Sequence, residues 1–469
     1  MAKINKTSKG TISGAVVPNV FLAGSAGAPA AKQNSYELLR RATLASLLWE
    51  DLAYQSGKDN SKNIAALIPN VDAQLVADLA VECRLQQKLR HIPLYIAREM
   101  ARYKEHNALL DVVLPKIITR ADQLTDFVAL YFKDGKQPLT NKVKRGLAAA
   151  FHNFKEYHFA KYNRDTTVKF RDVLFLCHAK PFGKTQEELF KKIIDNKLTT
   201  PDTWEVSLSA GKDKKDTFTR LVEDGKLGGL AFLRNLRNMK DSGVSYDVIK
   251  KGFSNLSQIL LPLNFYAAQK HNPEYTREIE DAMLRTYKTL PKLQGHTVFV
   301  VDLSGSMGSG ISGKSEYNRR EVAMVMAMLA SELSERVTIY ATAGSDSRGI
   351  HATKRVGNYR GFSLIKELNS LSSGLGGGGI FTRQCLEYIK DDLKETPDRI
   401  IVFSDSQDCD RTNKTPKPFA KNNYIVDVSS HSHGINYKGA WTAEVSGWSE
   451  NFINYIMALE GIENNLVEE

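Results

Sequence analysis

The chain has 469 residues, 42% hydrophobic and 25% charged, with a formal net charge of +11. That length can bury more than one core and predicts two or more domains. Cys83, Cys177, Cys385 and Cys409 stand far apart with no CxxC pair, which argues against a disulfide scaffold or a zinc site and for a reducing, cytoplasmic compartment.

The first 34 residues read as a flexible polar arm. Pro18 and Asn19 break the apolar stretch that loosely mimics a signal peptide. From Ser35 the pattern is helical. Leu38, Leu44, Leu48 and Leu52 fall near helical spacing, with Ser35 as N-cap and Gly57 as stop. Leu75, Leu79, Leu85 and Leu89 repeat the pattern, and Pro93 restarts a helix. Amphipathic segments follow at Leu109–Ile118, Leu124–Phe132, Lys142–Phe159, Phe170–His178, Glu187–Ile194 and Gly229–Met239. Residues 35–290 therefore predict an all-α solenoid of stacked helices, without a clean fixed-period repeat.

The grammar changes at Pro291. "HTVFVVD", "RVTIYATAG", "RIIVFSD" and "NYIVDVS" are short β-branched and aromatic runs, and a helix over Arg319–Glu335 separates the first from later ones. Strands alternating with helices predict an α/β domain over residues 291–469, with a mostly parallel sheet covered on both faces. The longest apolar run, Val322 to Ala330, is about half of the ~18 residues a membrane span needs, so no membrane association is expected.

Ligands of open parallel sheets bind beyond the carboxyl ends of the strands. Asp302 and Asp405 each end an apolar run, Ser304 and Ser306 follow Asp302 at alternate positions, and the glycine loop "SSGLGGGGIFT" ends at Thr382. Two carboxylates and three hydroxyls form an all-oxygen set suited to a hard divalent cation, Mg²⁺ first, with Mn²⁺ or Ca²⁺ as alternatives. G-x-S-x-G is absent. His351, His431 and His433 establish no serine triad. With no activated nucleophile or acid/base pair, no catalytic residue and no enzyme activity are expected.

Charge divides along the same line. Residues 1–290 carry 45 Lys and Arg against 31 Asp and Glu, a net of +14, whereas residues 291–469 carry 19 against 22, a net of −3. The densest basic stretch runs from Asn141 to Lys184. It includes Lys142, Lys144, Arg145, Lys161, Arg164, Lys169, Arg171, Lys180 and Lys184, interleaved with aromatic rings and His178. Cations for phosphates with rings for bases suit single-stranded nucleic acid. The alternative is a solvated lysine face over a core packed by Phe151, Phe154 and Phe159.

Two resemblances join these readings. Asp302, Ser304, Ser306, Thr382 and Asp405 match, in order, the metal-ion-dependent adhesion site of the von Willebrand factor A domain. This implies a Rossmann-like fold and a cation whose coordination a partner carboxylate completes. Arg383 stands where that family has an acidic or amide residue after the threonine. The segments "LRHIPLYIAREMARY", "KYNRDTTVKFRDVLFLCHAKP", "TWEVSLSAGKDKK" and "GKLGGLAFLRNLRNM" resemble the Ro autoantigen family, the TROVE-module proteins, and most closely its bacterial type. The resemblance implies a multidomain chain. A HEAT-like ring over residues 35–290 is followed by a von Willebrand A domain over residues 291–469. It also implies binding of small structured Y-like noncoding RNA on a basic outer face and of single-stranded RNA ends in the central hole. The implied role is RNA quality control as a monomeric ring, with an exoribonuclease partner in some bacterial members. The family's RNA-contacting stretch falls on Lys161, Arg164, Lys169, Arg171, His178 and Lys180, with Asp165 where the family has a basic residue. The competing reading is a metal-dependent protein–protein adaptor with the solenoid as scaffold.

Overall fold

The computed structural model describes residues 34–44, 57–85, 89–257, 260–311, 315–410, 412, 416–428, 441–446, 452–453, 456–457 and 460, with the backbone of 21–23 and 29–31. Most of the arm, Leu48, Leu52, His431 and His433 lie outside them.

Two short strands, β1 (Phe21–Ala23) and β2 (Pro29–Ala31), pair antiparallel. The helical part then opens with α1 (Ser35–Leu44), α2 (Gly57–Leu67), α3 (Ala73–Leu85), α4 (Ile92–Met100), α5 (Lys104–Asn107), α6 (Leu110–Ile117) and α7 (Asp122–Tyr131). It continues with α8 (Asn141–Phe151), α9 (Glu156–Tyr162), α10 (Phe170–Cys177), α11 (Lys184–Ile194) and α12 (Trp204–Ser209). The last helices before the sheet are α13 (Lys214–Glu223), α14 (Gly229–Asp241), α15 (Tyr246–Ser254), α16 (Pro262–His271) and α17 (Thr276–Tyr287). Gly57, expected as a stop, instead begins α2, where its lack of Cβ is tolerated at a helix end. The predicted segment Lys142–Phe159 is two helices. The Thr140 hydroxyl caps α8 by accepting from Val143 N at 3.2 Å, and the chain turns before α9. Helices α6 and α8 meet at Gly146, where an added Cβ would lie 2.4 Å from the Leu110 carbonyl oxygen.

The large sheet contains β3 (Leu293–Asp302), β4 (Ser334–Ser345), β5 (Ile350–Arg355), β6 (Arg399–Ser404), β7 (Asn422–Asp427) and β8 (Ala443–Ser446). Its order is β5-β4-β3-β6-β7-β8, parallel except for the antiparallel edge strand β5. The period-two alternation of the strands separates two apolar faces. Phe299, Val301, Ile401 and Phe403 face one core with α18 (Arg319–Glu332) and α19 (Gly361–Ser372). Val298, Val300, Ile400 and Val402 face the other with α20 (Thr382–Leu393). Because both faces are covered, the central strands read as continuous apolar runs.

Secondary structure changes character at Leu293, but the buried core divides earlier. Residues Tyr36 to Ile193 form one cluster. Phe218 to Tyr287 share a second cluster with α18, α19 and one sheet face. Polar contacts reinforce that union. Tyr266 Oη and Lys270 Nζ both donate to Glu321 Oε1, at 3.0 and 2.9 Å. At the other end of the chain α1 lies against β8. No helix among the described residues is long and apolar enough to cross a membrane.

Candidate functional site

The chain leaves β3 toward β4 on one side and later returns to β6 on the other. The carboxyl ends of β3 and β6 therefore flank the point where strand order reverses, which is where crevices form in such sheets. Asp302 ends β3, and Asp405 directly follows β6. Both are fully buried, as are Ser304 and Thr382. Asp302 Oδ1 accepts from Ser304 N at 2.8 Å and its Oδ2 from Ser404 Oγ at 2.7 Å. Ser304 Oγ lies 3.3 Å from Ser306 Oγ. The loop after β3 packs on the glycine loop: Gly305 N donates to Gly378 O at 2.9 Å, and a Cβ on Gly305 would meet Gly377 O at 2.7 Å. The loops carrying the five predicted metal residues thus converge.

The electrostatics favour a cation. Burial pushes the Asp302 carboxyl up to about 7, and the neighbouring Asp405 carboxylate adds to the rise. Burial raises Asp405 too, with the Arg319 guanidinium opposing it. Asp405 Oδ1 and Thr382 Oγ1 are buried without a hydrogen-bond partner among the described residues, and such atoms cost free energy unless a ligand satisfies them. The donor set therefore fits a hard cation. No group of three or more His, Cys, Asp or Glu among the described residues is arranged to hold a metal, so hydroxyls must supply much of any coordination.

Sequence reasoning missed three residues here. Arg319, 1% exposed at the start of α18, donates to Asp405 Oδ2 at 2.7 Å. It places an internal positive charge beside the predicted metal ligands. Ser404 holds Asp302, as above. Asp408 is buried and pushed up to about 6 by that burial; its Oδ1 accepts from Asp410 N at 2.9 Å and from Thr382 N at 3.4 Å. Arg383 turns to Asp410 at 2.9 Å and Glu387 at 2.8 Å.

The basic stretch occupies α8 to the start of α11. Phe151, Phe154 and Phe159 are core residues, as expected for a core packed beneath the lysine face. The cations sort into two groups. Lys142 pairs with Asp111 at 2.7 Å, and Arg145 lies 3.9 Å from the same carboxylate. Lys169 pairs with Asp165 at 3.0 Å, and Arg171 lies 3.8 Å from Asp172. In contrast Lys144, Lys161, Arg164, Lys180 and Lys184 have no ion pair among the described residues, and all but half-buried Lys144 are exposed. Lys161 Nζ lies 5.9 Å from the Tyr157 and Tyr162 rings, and Arg120 stacks over Tyr162 at 4.7 Å. His178 is exposed just past α10 in the left-handed region at φ 53. Arg234 and Arg237 share an exposed face of α14. Arg237 lies 3.7 Å from Asp241, and neither pairs with Glu223 or Asp224.

The comparisons with known proteins agree with this architecture. Residues 195–269 match the TROVE domain family model. No curated protein matches the chain. The crystal structure of the Deinococcus radiodurans RO (RSR) protein is similar over 92% of this chain and 100% of that one, with a TM-score of 0.56 and 14% sequence identity. The chain thus carries a segment similar to the TROVE domain and shares the fold of the Deinococcus radiodurans RO (RSR) protein.

Proposed function

We propose that the chain is a non-enzymatic, cytoplasmic RNA-binding protein acting in RNA quality control. Its helices form a HEAT-like ring, and its α/β part is a von Willebrand A-like domain that closes it within one monomer. The contact of α1 with β8 supports closure, since it joins the first helix to the last strand of the sheet. In this reading Lys161, Arg164, Lys180 and Lys184 bind the phosphates of a small structured, Y-like RNA on the outer face. Single-stranded ends of misfolded RNA enter the hole, and an exoribonuclease acts on them as a partner. The observation that carries the reading is the set of exposed cations without counter-ions among the described residues. Unneutralised lysine and arginine displace condensed counter-ions from a polyanion, and that displacement gives affinity with a salt slope. Asp302, Ser304, Ser306, Thr382 and Asp405 would hold a divalent cation, most simply Mg²⁺, which supplies an electrophilic point for a partner's carboxylate. The test is binding of the purified protein to a stem-loop RNA with a single-stranded 3′ end across salt concentrations. Affinity should fall linearly in log–log form, and negligible binding at about 50 mM salt would refute the reading.

A second reading, a cation-dependent protein adaptor, is favoured by the buried oxygen-lined crevice at the sheet's switch point. It requires partner binding that EDTA abolishes and that Asp302→Ala removes, with no nucleic acid in the native protein's absorbance spectrum.

A further inference from the structure

The loop between α10 and α11 carries the most exposed large apolar side chain described in the chain, Phe182, at 75% exposure. Isolated exposed apolar residues are ordinary, so exposure alone has no weight. The construction around Phe182 is what matters. Its ring lies face to face on the His152 imidazole, with centroids 3.8 Å apart and planes 19° apart. One oxygen fixes both residues. Gln186 Oε1 accepts from Phe182 N at 2.6 Å and lies 2.9 Å from His152 Nδ1, which places the imidazole proton on Nδ1. Behind His152 the stack continues into the protein. Phe190 lies 6.5 Å from His152, and Phe151 meets Phe190 edge-on at 5.9 Å. Both phenylalanines are buried in the helical core. Pro181 before Phe182 and Gly183 after it, at φ +77, restrict the loop on either side. One face of the Phe182 ring is thus covered, and most of the rest of the side chain is open to solvent.

The surroundings select the chemistry of an occupant. No acidic residue occurs from Val173 to Gln186, while Lys180 and Lys184 flank Phe182 two residues away on either side. Both lysines are exposed. A pre-positioned aromatic face between cations matches a nucleobase attached to a phosphate chain: every base has a π-face to stack, and the lysines meet the backbone. Because the ring is already held, little side-chain entropy remains to be lost on binding.

We propose that Phe182, clamped on His152 by Gln186, is a stacking platform for one unpaired base of bound RNA. The proposal rests on the RNA-binding reading above and adds a subsite that distinguishes single strands from duplexes. The probes are a single-stranded oligoadenylate and a blunt RNA duplex of equal length, measured by fluorescence anisotropy with the full chain. Stacking of one base on an aromatic side chain contributes about 1–3 kcal/mol. Phe182→Ala should therefore weaken oligoadenylate binding by about 5- to 150-fold, leave the salt slope unchanged and leave the duplex unaffected. Phe182→Trp should restore binding to the wild-type level or above, and Gln186→Leu should give a loss in the same direction. An unchanged oligoadenylate affinity in Phe182→Ala would overturn the platform while leaving the RNA-binding reading standing. An equal loss for both probes would also overturn it. A wild-type protein that binds neither probe would overturn both.

Discussion

Arg319→Met is expected to destabilise the α/β part by about 3–5 kcal/mol. The guanidinium is the buried partner of the Asp405 carboxylate at 2.7 Å. Both groups are removed from water, so deleting one leaves the other charge uncompensated in a low-dielectric site. The loss is enlarged by Asp302, whose carboxyl is already pushed upward by burial and by Asp405. Urea denaturation should show a lower midpoint with an unchanged slope. Mg²⁺ should stabilise the variant more than the wild type. A cation that binds only the folded state stabilises by mass action, and with Arg319 gone it can take over the compensation of the Asp405 carboxylate. Arg319→Met paired with Asp405→Leu should recover much of the lost stability, because neither partner is then left buried alone. A loss under about 1 kcal/mol, or an identical Mg²⁺ response in both proteins, would contradict this picture of the crevice.

Converting Lys161, Arg164, Lys180 and Lys184 together to glutamine is expected to flatten the salt dependence of RNA binding. Each lost phosphate contact removes about 0.7 to 0.9 from the log–log slope, so four remove about 3 to 4. Between about 50 and 200 mM salt the affinity loss should shrink by roughly 50- to 150-fold relative to wild type. These four side chains are exposed, so the fold should tolerate the change. The matched control is Lys142→Gln with Lys169→Gln. Their ammonium groups already face Asp111 and Asp165 at 2.7 and 3.0 Å, so their removal should move the slope by less than about one. If the control flattened the slope as much as the quadruple variant, the division into neutralised and available cations would be wrong.

The legible and illegible parts of the molecule divide on physical grounds. Asp302 and Asp405 were legible because a parallel strand buried on both faces is a continuous apolar run, and the first polar residue after it marks the rim. The edge strand β5 was not, because "IHATKR" is half exposed and carries no clean alternation. Arg319 was likewise hidden. An arginine at the first turn of a helix looks like a solvated residue, and only the sheet's reversal between β3 and β6 buries it against Asp405. The amphipathic segment Gly229–Met239 announced that something covers it, but not that its core is shared with α18, α19 and the sheet. Lys142 is neutralised by a residue 31 positions earlier, and Phe182 is clamped by one 30 positions earlier. Both pairings depend on how successive helices stack, which no local window contains.

The central claim is that RNA is held by the helical stretch from α8 to α11, while the oxygen-lined crevice beyond β3 and β6 serves another purpose. Ultraviolet crosslinking of the full chain to a stem-loop RNA with a single-stranded tail, followed by peptide mapping, tests it directly. The account predicts crosslinked peptides within residues 141–194, with Phe182 or Tyr157 among the modified positions. Crosslinks confined to the loops following Asp302, Gly376 and Asp405, with none in that helical stretch, would contradict it.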